Sequence, residues 1–205
     1  MARIPLLPDP PADPQALALF ERVRGYMGPD FHMPALYRVL GHAPALFEAW
    51  LDFAWPLRLK AKTPRKLREL MILRGAQVAG TGYEWAHHVP MALSAGVSDA
   101  QIDALAHWKE SEHFSAQERA VLRLAEEVTR GPGASAHAIE QLRQQGFDDE
   151  AVVELTLTAS FYVCVGRLLN SMAIEVEPGY EAHLRRLSTA STEVHTSETG
   201  SGSAV

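Results

Sequence analysis

Along most of the chain, apolar residues recur at intervals of three and four, the period of a helix with one buried face. Leu17, Leu19, Phe20 and Val23 set this pattern over Gln15–Met27. Similar patterns predict helices over Pro34–Leu40, over the aromatic-rich Pro44–Lys60 and from Pro64 to about Ala79. Further helices are expected over Tyr83–Ala95, which stops at Gly96, and over Ser135–Gln145 and Asp149–Met172. Start signals reinforce the pattern. Thr63-Pro64 reads as an N-cap followed by proline at the first helical position. Ser98 with Gln101, and Ser115 with Glu118, read as capping boxes. No run of alternating apolar and polar residues lies between hairpin turns, so the expected fold is all-α. The stretches "TPRKLRELMILRGAQ" and "SAQERAVLRLAEEV" echo each other and suggest two related helical halves.

The ends of the chain break the pattern. Residues 1–14 carry five prolines and read as an extended arm, laid on the surface or on a neighbouring subunit. Residues 188–205 are small and polar, with no apolar period, and are expected to be disordered. That leaves 15–187 as one helical domain.

The composition is that of an ordinary globular protein, 47% hydrophobic and 21% charged. A net charge of −6 argues against nucleic acid or an anionic membrane as partner. The single cysteine, Cys164, excludes an intrachain disulfide and a cysteine-based zinc site, and points to the cytoplasm. It falls in the apolar run Leu155–Gly166, where a thiol is expected to be inert. That run is shorter than a bilayer requires, and the amino terminus lacks the apolar core of a signal peptide.

The densest chemistry lies in "GTGYEWAHHVPMALSAG", residues 80–96. Glu84 and His88 are four apart and share a helix face, with His87 about 100° away around the axis. Pro90 leaves the carbonyl of Ala86 without its helical donor, so a kink is expected there. Glu69 lies on an apolar stripe of the preceding helix, either as a partly desolvated proton-transfer group or as half of a structural ion pair. Three uses fit Glu84 with His88: acid–base catalysis with Glu84 tuning the imidazole, metal binding completed by His87, or a structural hydrogen bond. Trp85 reads as wall or core. Arg74 and Arg167 are candidates for gripping a substrate carboxylate, against inter-helix pairing as their other role.

The segment "RELMILRGAQVAGTGYEWAHHVPMALSAGVSDAQI" resembles the carboxymuconolactone decarboxylase family, from Thr63 to about Leu105. "RAVLRLAEEVTR" and "VELTLTASFYVCVGRLLNSM" resemble the second helical half of its longer members. The resemblance implies an alkylhydroperoxidase D-like helical bundle. Its peroxidase branch carries a Cys-x-x-Cys pair, a histidine four residues later and a glutamate one helix earlier. Here the cysteine positions hold Thr81 and Glu84, so thiol peroxidase chemistry is not expected. His88 and Glu69 fill the other two positions. The resemblance therefore implies a carboxy-lyase type of enzyme with no cofactor and no metal, acting on a small carboxylated lactone or carbonyl compound. His88 would act as the acid tuned by Glu84, Glu69 as a second proton store or orienting carboxylate, and Tyr83 and His87 as donors to a carbonyl oxygen. It also implies a homo-oligomer, a trimer or hexamer; the apolar "FEAWLDFAWPLRL" reads either as a surface for it or as plain core packing. The alternatives from other classes are a non-catalytic ligand-binding or assembly protein of this fold, and a protein binding metal through Glu84, His87 and His88.

Overall fold

The computed structural model describes residues 2–187; the expected disordered tail, 188–205, lies outside the described residues. Nine α-helices follow one another: α1 Pro14–Met27, α2 Ala35–Leu40, α3 Pro44–Leu59, α4 Arg65–Ala79, α5 Gly82–Ser94, α6 Asp99–Asp103, α7 Ala116–Arg130, α8 Ala136–Gln144 and α9 Asp149–Met172. A 3₁₀ turn, Ala104–His107, follows α6, and residues 181–187 are helical again. Among the described residues there is no strand.

α4 is the central element, packed against α5, α7 and α9. Its apolar residues enter two cores. Leu67 and Met71 pack with α7, α8 and α9, while Leu70, Leu73 and Ala76 pack with Trp85, Val89 and Ala92 of α5. The helices opening the two echoing segments, α4 and α7, thus lie directly against each other. α1 and α3 form a third cluster around Phe20, Phe47 and Leu51. A fourth joins α2, α5 and α9 through Val39, Tyr83 and Val165.

Both expected capping boxes form at Ser98–Gln101 and Ser115–Glu118. The cap of α4 differs. Pro64 is extended and occupies the N-cap, and the Thr63 hydroxyl has no hydrogen-bond partner. The Glu154 carboxylate instead accepts from the backbone N–H groups of Lys62 and Thr63, at 2.8 and 2.9 Å, and ties this turn to α9. α5 continues through Pro90.

The proline-rich arm lies on the surface of its own chain. Arg3 N–H donates to the Met172 carbonyl, Leu7 N–H to the Arg38 carbonyl, and the Arg38 guanidinium back to the Leu7 carbonyl. α9 is long and apolar enough to cross a membrane by length and composition alone. Here it packs on α4, α7 and α3 with Leu155, Phe161 and Leu169 buried, the place of a core helix. Cys164 departs from expectation: it is exposed on α9. An apolar run in a helix has an outer face, and Cys164, like exposed Val153 and Leu157, lies on it. On α3, Leu46, Phe53 and Leu59 are likewise exposed, while Phe47, Leu51 and Trp55 are buried.

Candidate active site

Gly80 ends α4 in the left-handed region, at φ 64°, a conformation that costs glycine little. The chain then re-enters a helix at once, so α5 folds back along α4 and brings His88 against Glu69. His88 Nδ1 lies 2.7 Å from Glu69 Oε2. The other carboxylate oxygen of Glu69 accepts from Arg65 Nε at 2.6 Å. Glu69 has no exposed surface, and His88 is buried beside it.

The electrostatics of this pair follow from its setting. Burial pushes the Glu69 carboxyl up, but His88 and Arg65 together outweigh it and hold the group below 4.5, ionised. Burial disfavours the imidazolium of His88, Glu69 works the other way, and Arg58 and Arg65 add to the lowering; the net pKa falls below 6.5. A carboxylate only accepts, so Nδ1 carries the hydrogen and donates it to Glu69. Nε2 is left with a free lone pair. At neutral pH His88 is therefore a base held in one tautomer.

Glu84 is one turn away on α5 but does not tune His88. It is buried, its Oε2 has no hydrogen-bond partner, and among the described residues no hydrogen bond links it to His88. Desolvation raises its pKa well above 4.5, with no cation to offset it. Glu84 is thus a neutral carboxylic acid. The i, i+4 spacing shown by the sequence is real, but Glu69 on the neighbouring helix takes the imidazole first.

Both side chains line a cavity of about 370 Å³. Its walls come from the segment before α2, from α3, from α5, from α9 and from residues 177–180. Tyr162 meets the His88 ring edge-to-face, with centroids 4.9 Å apart. Both histidines of α5 open on this cavity, despite their separation around the helix. His87 is held differently. It stacks between Tyr83 and Tyr180, at 4.4 and 4.2 Å, and its Nε2 lies 2.7 Å from Glu177 Oε2. Glu177 Oε1 also accepts from the Tyr83 hydroxyl and from Ala35 N–H, each at 2.7 Å. Burial pushes the Glu177 carboxyl up, but these donors win and lower it to about 2.

Several expected site residues take other roles. Tyr83 donates its hydroxyl hydrogen to Glu177 and is a wall residue, not a free donor to substrate. Trp85 is fully buried in the core, with Nε1–H donating to the His183 carbonyl at 2.9 Å. Arg74 does not reach the cavity: it pairs with Glu126 at 2.8 Å and donates to the Leu105 carbonyl. Arg167 is exposed on α9, outside the cavity lining. Glu177 holds His87 and Glu69 holds His88, so the ligand set expected of a metal site is not assembled. Among the described residues no group of three or more His, Cys, Asp or Glu converges for a metal.

The sequence reading missed Glu177, Tyr162 and Arg58. Glu177 lies 90 residues from His87, and no local pattern signals that pairing. Arg58 offered a signal: it is the one basic residue within the aromatic stretch of α3.

The comparisons with known proteins agree with this architecture. Residues 44–127 match the carboxymuconolactone decarboxylase family. The uncharacterized protein YdfG of Bacillus subtilis (strain 168) is 30% identical over 98 residues, which are 45% of this chain and 64% of that protein. Among solved structures, the debrominase Bmp8, a cysteine-to-alanine variant in complex with 2,3,4-tribromopyrrole, superposes with a TM-score of 0.76. It is 18% identical, and the match covers 91% of this chain and all of that one. An alkylhydroperoxidase AhpD core protein from Ralstonia eutropha JMP134 gives 0.71 at 19% identity, covering 87% and 94% of the two chains. A protein of Agrobacterium tumefaciens, described as a putative antioxidant defence protein AhpD, gives 0.63 at 24% identity, covering 68% and 95%. The chain therefore has the alkylhydroperoxidase D-like fold, and its central stretch, 44–127, is similar to the carboxymuconolactone decarboxylase family.

Proposed function

We propose that this protein is an acid–base enzyme that moves protons on a small carbonyl compound, by decarboxylation or a related lyase or isomerase reaction. One observation carries the reading: a neutral base, His88, and a neutral acid, Glu84, line the same secluded cavity, their proton affinities pushed apart by different surroundings. The resting roles differ from the sequence expectation, in which His88 was the acid. Glu84 holds the proton to be given, and His88 holds the lone pair to receive one.

In an isomerisation, His88 Nε2 removes a proton from the carbon next to a carbonyl. The bonding pair moves into the carbonyl as an enolate, while Glu84 donates to the oxygen that gains charge. The imidazolium is stabilised by Glu69 and returns its proton to another carbon of the conjugated system. In a decarboxylation, the pair from the broken C–CO₂ bond forms the same enolate, and Glu84 protonates it. Glu69 touches His88 and Arg65, so it acts through the imidazole as a positioning residue. Thr81 and Glu84 at the cysteine positions leave no paired thiolates for peroxidase chemistry.

The debrominase complex shows that a scaffold of this fold can enclose a small ring compound, which supports a small-molecule substrate here. The test is a set of pH–rate profiles for wild type, His88→Gln and Glu84→Gln on β-keto acids and unsaturated lactone acids. Loss of the basic catalyst should remove one limb of the profile, and loss of the acid the other. Unchanged rates in both variants would refute the assignment.

A further inference from the structure

The cavity has a charge imbalance and a shape that together describe its guest. Tyr37, Trp50, Trp55, Phe161 and Tyr162 present aromatic rings to it. Trp50 meets Phe161 at 5.3 Å and Tyr37 at 5.7 Å, so the rings brace one another as rigid flat walls. Arg58 is the one lysine or arginine in the lining.

Arg58 differs from the other arginines nearby. Arg65 is paired with Glu69, Arg74 with Glu126, and Arg68 donates to the carbonyls of Leu57 and Thr63. Arg58 reaches only the Met91 sulfur, at 3.3 Å, and the Trp55 ring, 5.5 Å from its centroid. Among the described residues no carboxylate pairs with it. The carboxylates of the cavity cannot offset its charge either: Glu177 is taken by His87, and Glu84 carries its proton. Beside the guanidinium, Trp55 is buried and its Nε1–H has no acceptor. A buried donor without a partner is uncommon in folded proteins and marks a place where an acceptor belongs. A forked cation and an orphaned N–H, both on α3, together match the two oxygens of one carboxylate.

We propose that the cavity binds a flat, conjugated monocarboxylate, its carboxylate held by Arg58 and Trp55 Nε1–H and its ring lying between the aromatic walls. A second carboxylate would find no second cation in the lining. The inference rests on the proposed function for the identity of the cavity, and it names the substrate class and the anchor. Binding requires no turnover, so the two readings can fail separately.

The experiment titrates the full chain with benzoate, its neutral isostere benzamide, the dianion phthalate and the non-planar cyclohexanecarboxylate, followed by calorimetry and tryptophan fluorescence. Benzoate is expected to bind about tenfold or more tighter than each of the others. Arg58→Met should abolish the preference for benzoate over benzamide without weakening benzamide, and Arg58→Lys should keep part of it. Thermal melts of both variants establish that they are folded. Trp55→Phe should weaken benzoate more than benzamide. Equal affinity for benzoate and benzamide, a preference that survives Arg58→Met, phthalate binding as well as benzoate, or no binding of any probe at millimolar concentration would each overturn the proposal. His88→Gln is expected to bind benzoate as wild type does. If that variant keeps both the benzoate preference and full turnover on the substrate panel, the proton-transfer reading falls and the anion site stands.

Discussion

Glu84 and His88 lie one turn apart on α5 and line the same cavity, yet no hydrogen bond joins them. Each has a separate fate: the imidazole is claimed by Glu69 from α4, and the carboxyl is buried with its Oε2 unpaired. That separation keeps an acid and a base available at once. If the two were bonded, the proton would be shared and neither would face a substrate in the form catalysis needs.

Glu69→Gln should lower kcat by about 10²- to 10⁴-fold with little change in KM, because the amide no longer fixes the imidazole tautomer or stabilises the imidazolium. Steady-state kinetics on any substrate found for the wild type checks this. A rise in KM at constant kcat would place Glu69 outside the relay.

Glu84→Gln should flatten the pH dependence of stability. The folded-state pKa of Glu84 is raised, so above its unfolded value of 4.5 the folded chain holds a proton that the unfolded chain releases. Wild-type stability therefore declines as pH rises above that value, and the glutamine variant lacks this contribution. Denaturant melts from about pH 5 to about pH 8 should show the variant gaining on wild type with rising pH.

Glu177→Gln should produce the opposite pattern in acid. Its folded pKa is depressed to about 2, so its contribution is present above 4.5 and is lost as pH falls through about 2. The variant should be about 1–3 kcal/mol less stable at neutral pH. It should also lose less of its remaining stability on acidification, as thermal melts in acid would show.

Arg74→Gln should cost about 1–3 kcal/mol of stability while leaving ligand affinity unchanged, since it removes the nearest cation from buried Glu126, which keeps the Trp108 N–H and, at 3.5 Å, Lys109 and Arg130. Arg167→Ala, on the exposed face of α9, should change neither. Melting and titration of the two variants separate the structural arginine from the solvent-facing one.

Gly166→Ala probes how closely α9 approaches the active-site turn. A Cβ there would lie 2.8 Å from the Thr81 hydroxyl and 3.5 Å from Glu84 Oε2. Thr81 is fully buried and short, so it cannot swing clear. A loss of about 1–3 kcal/mol is expected by chemical denaturation, with turnover reduced through the displaced Glu84.

The helices were readable because their signals are local. Ser98–Gln101 and Ser115–Glu118 cap as their spacing predicts, and Asp149–Met172 has the expected bounds. Thr63 was misread because Pro64 takes the N-cap and Glu154, distant in sequence, holds the turn by accepting from the backbone N–H groups of Lys62 and Thr63. In the site, Glu69 was found on its apolar stripe and His88 by its spacing from Glu84, and the family pattern then joined the two. Their direct bond, and the isolation of Glu84, depend on how α4 and α5 lie together. Inter-helix pairing was the expected role of Arg74, and its bond to Glu126 is that role, whereas Arg167 stayed open because a sequence does not say which side of a helix meets a cavity.

The cavity wall draws on two parts of the chain. Glu84, His88, Arg58, Trp50 and Trp55 come from the stretch 44–127 that matches the family, while Phe31, Tyr37, Phe161, Tyr162 and Glu177 come from outside it. The reacting groups and the Arg58 anchor therefore share one segment with Trp50 and Trp55, while the rest of the mould is encoded in the flanks. Grafting the flanks of one such protein onto the middle of another should change the outline of the guest admitted and leave its anchor and the transformation intact.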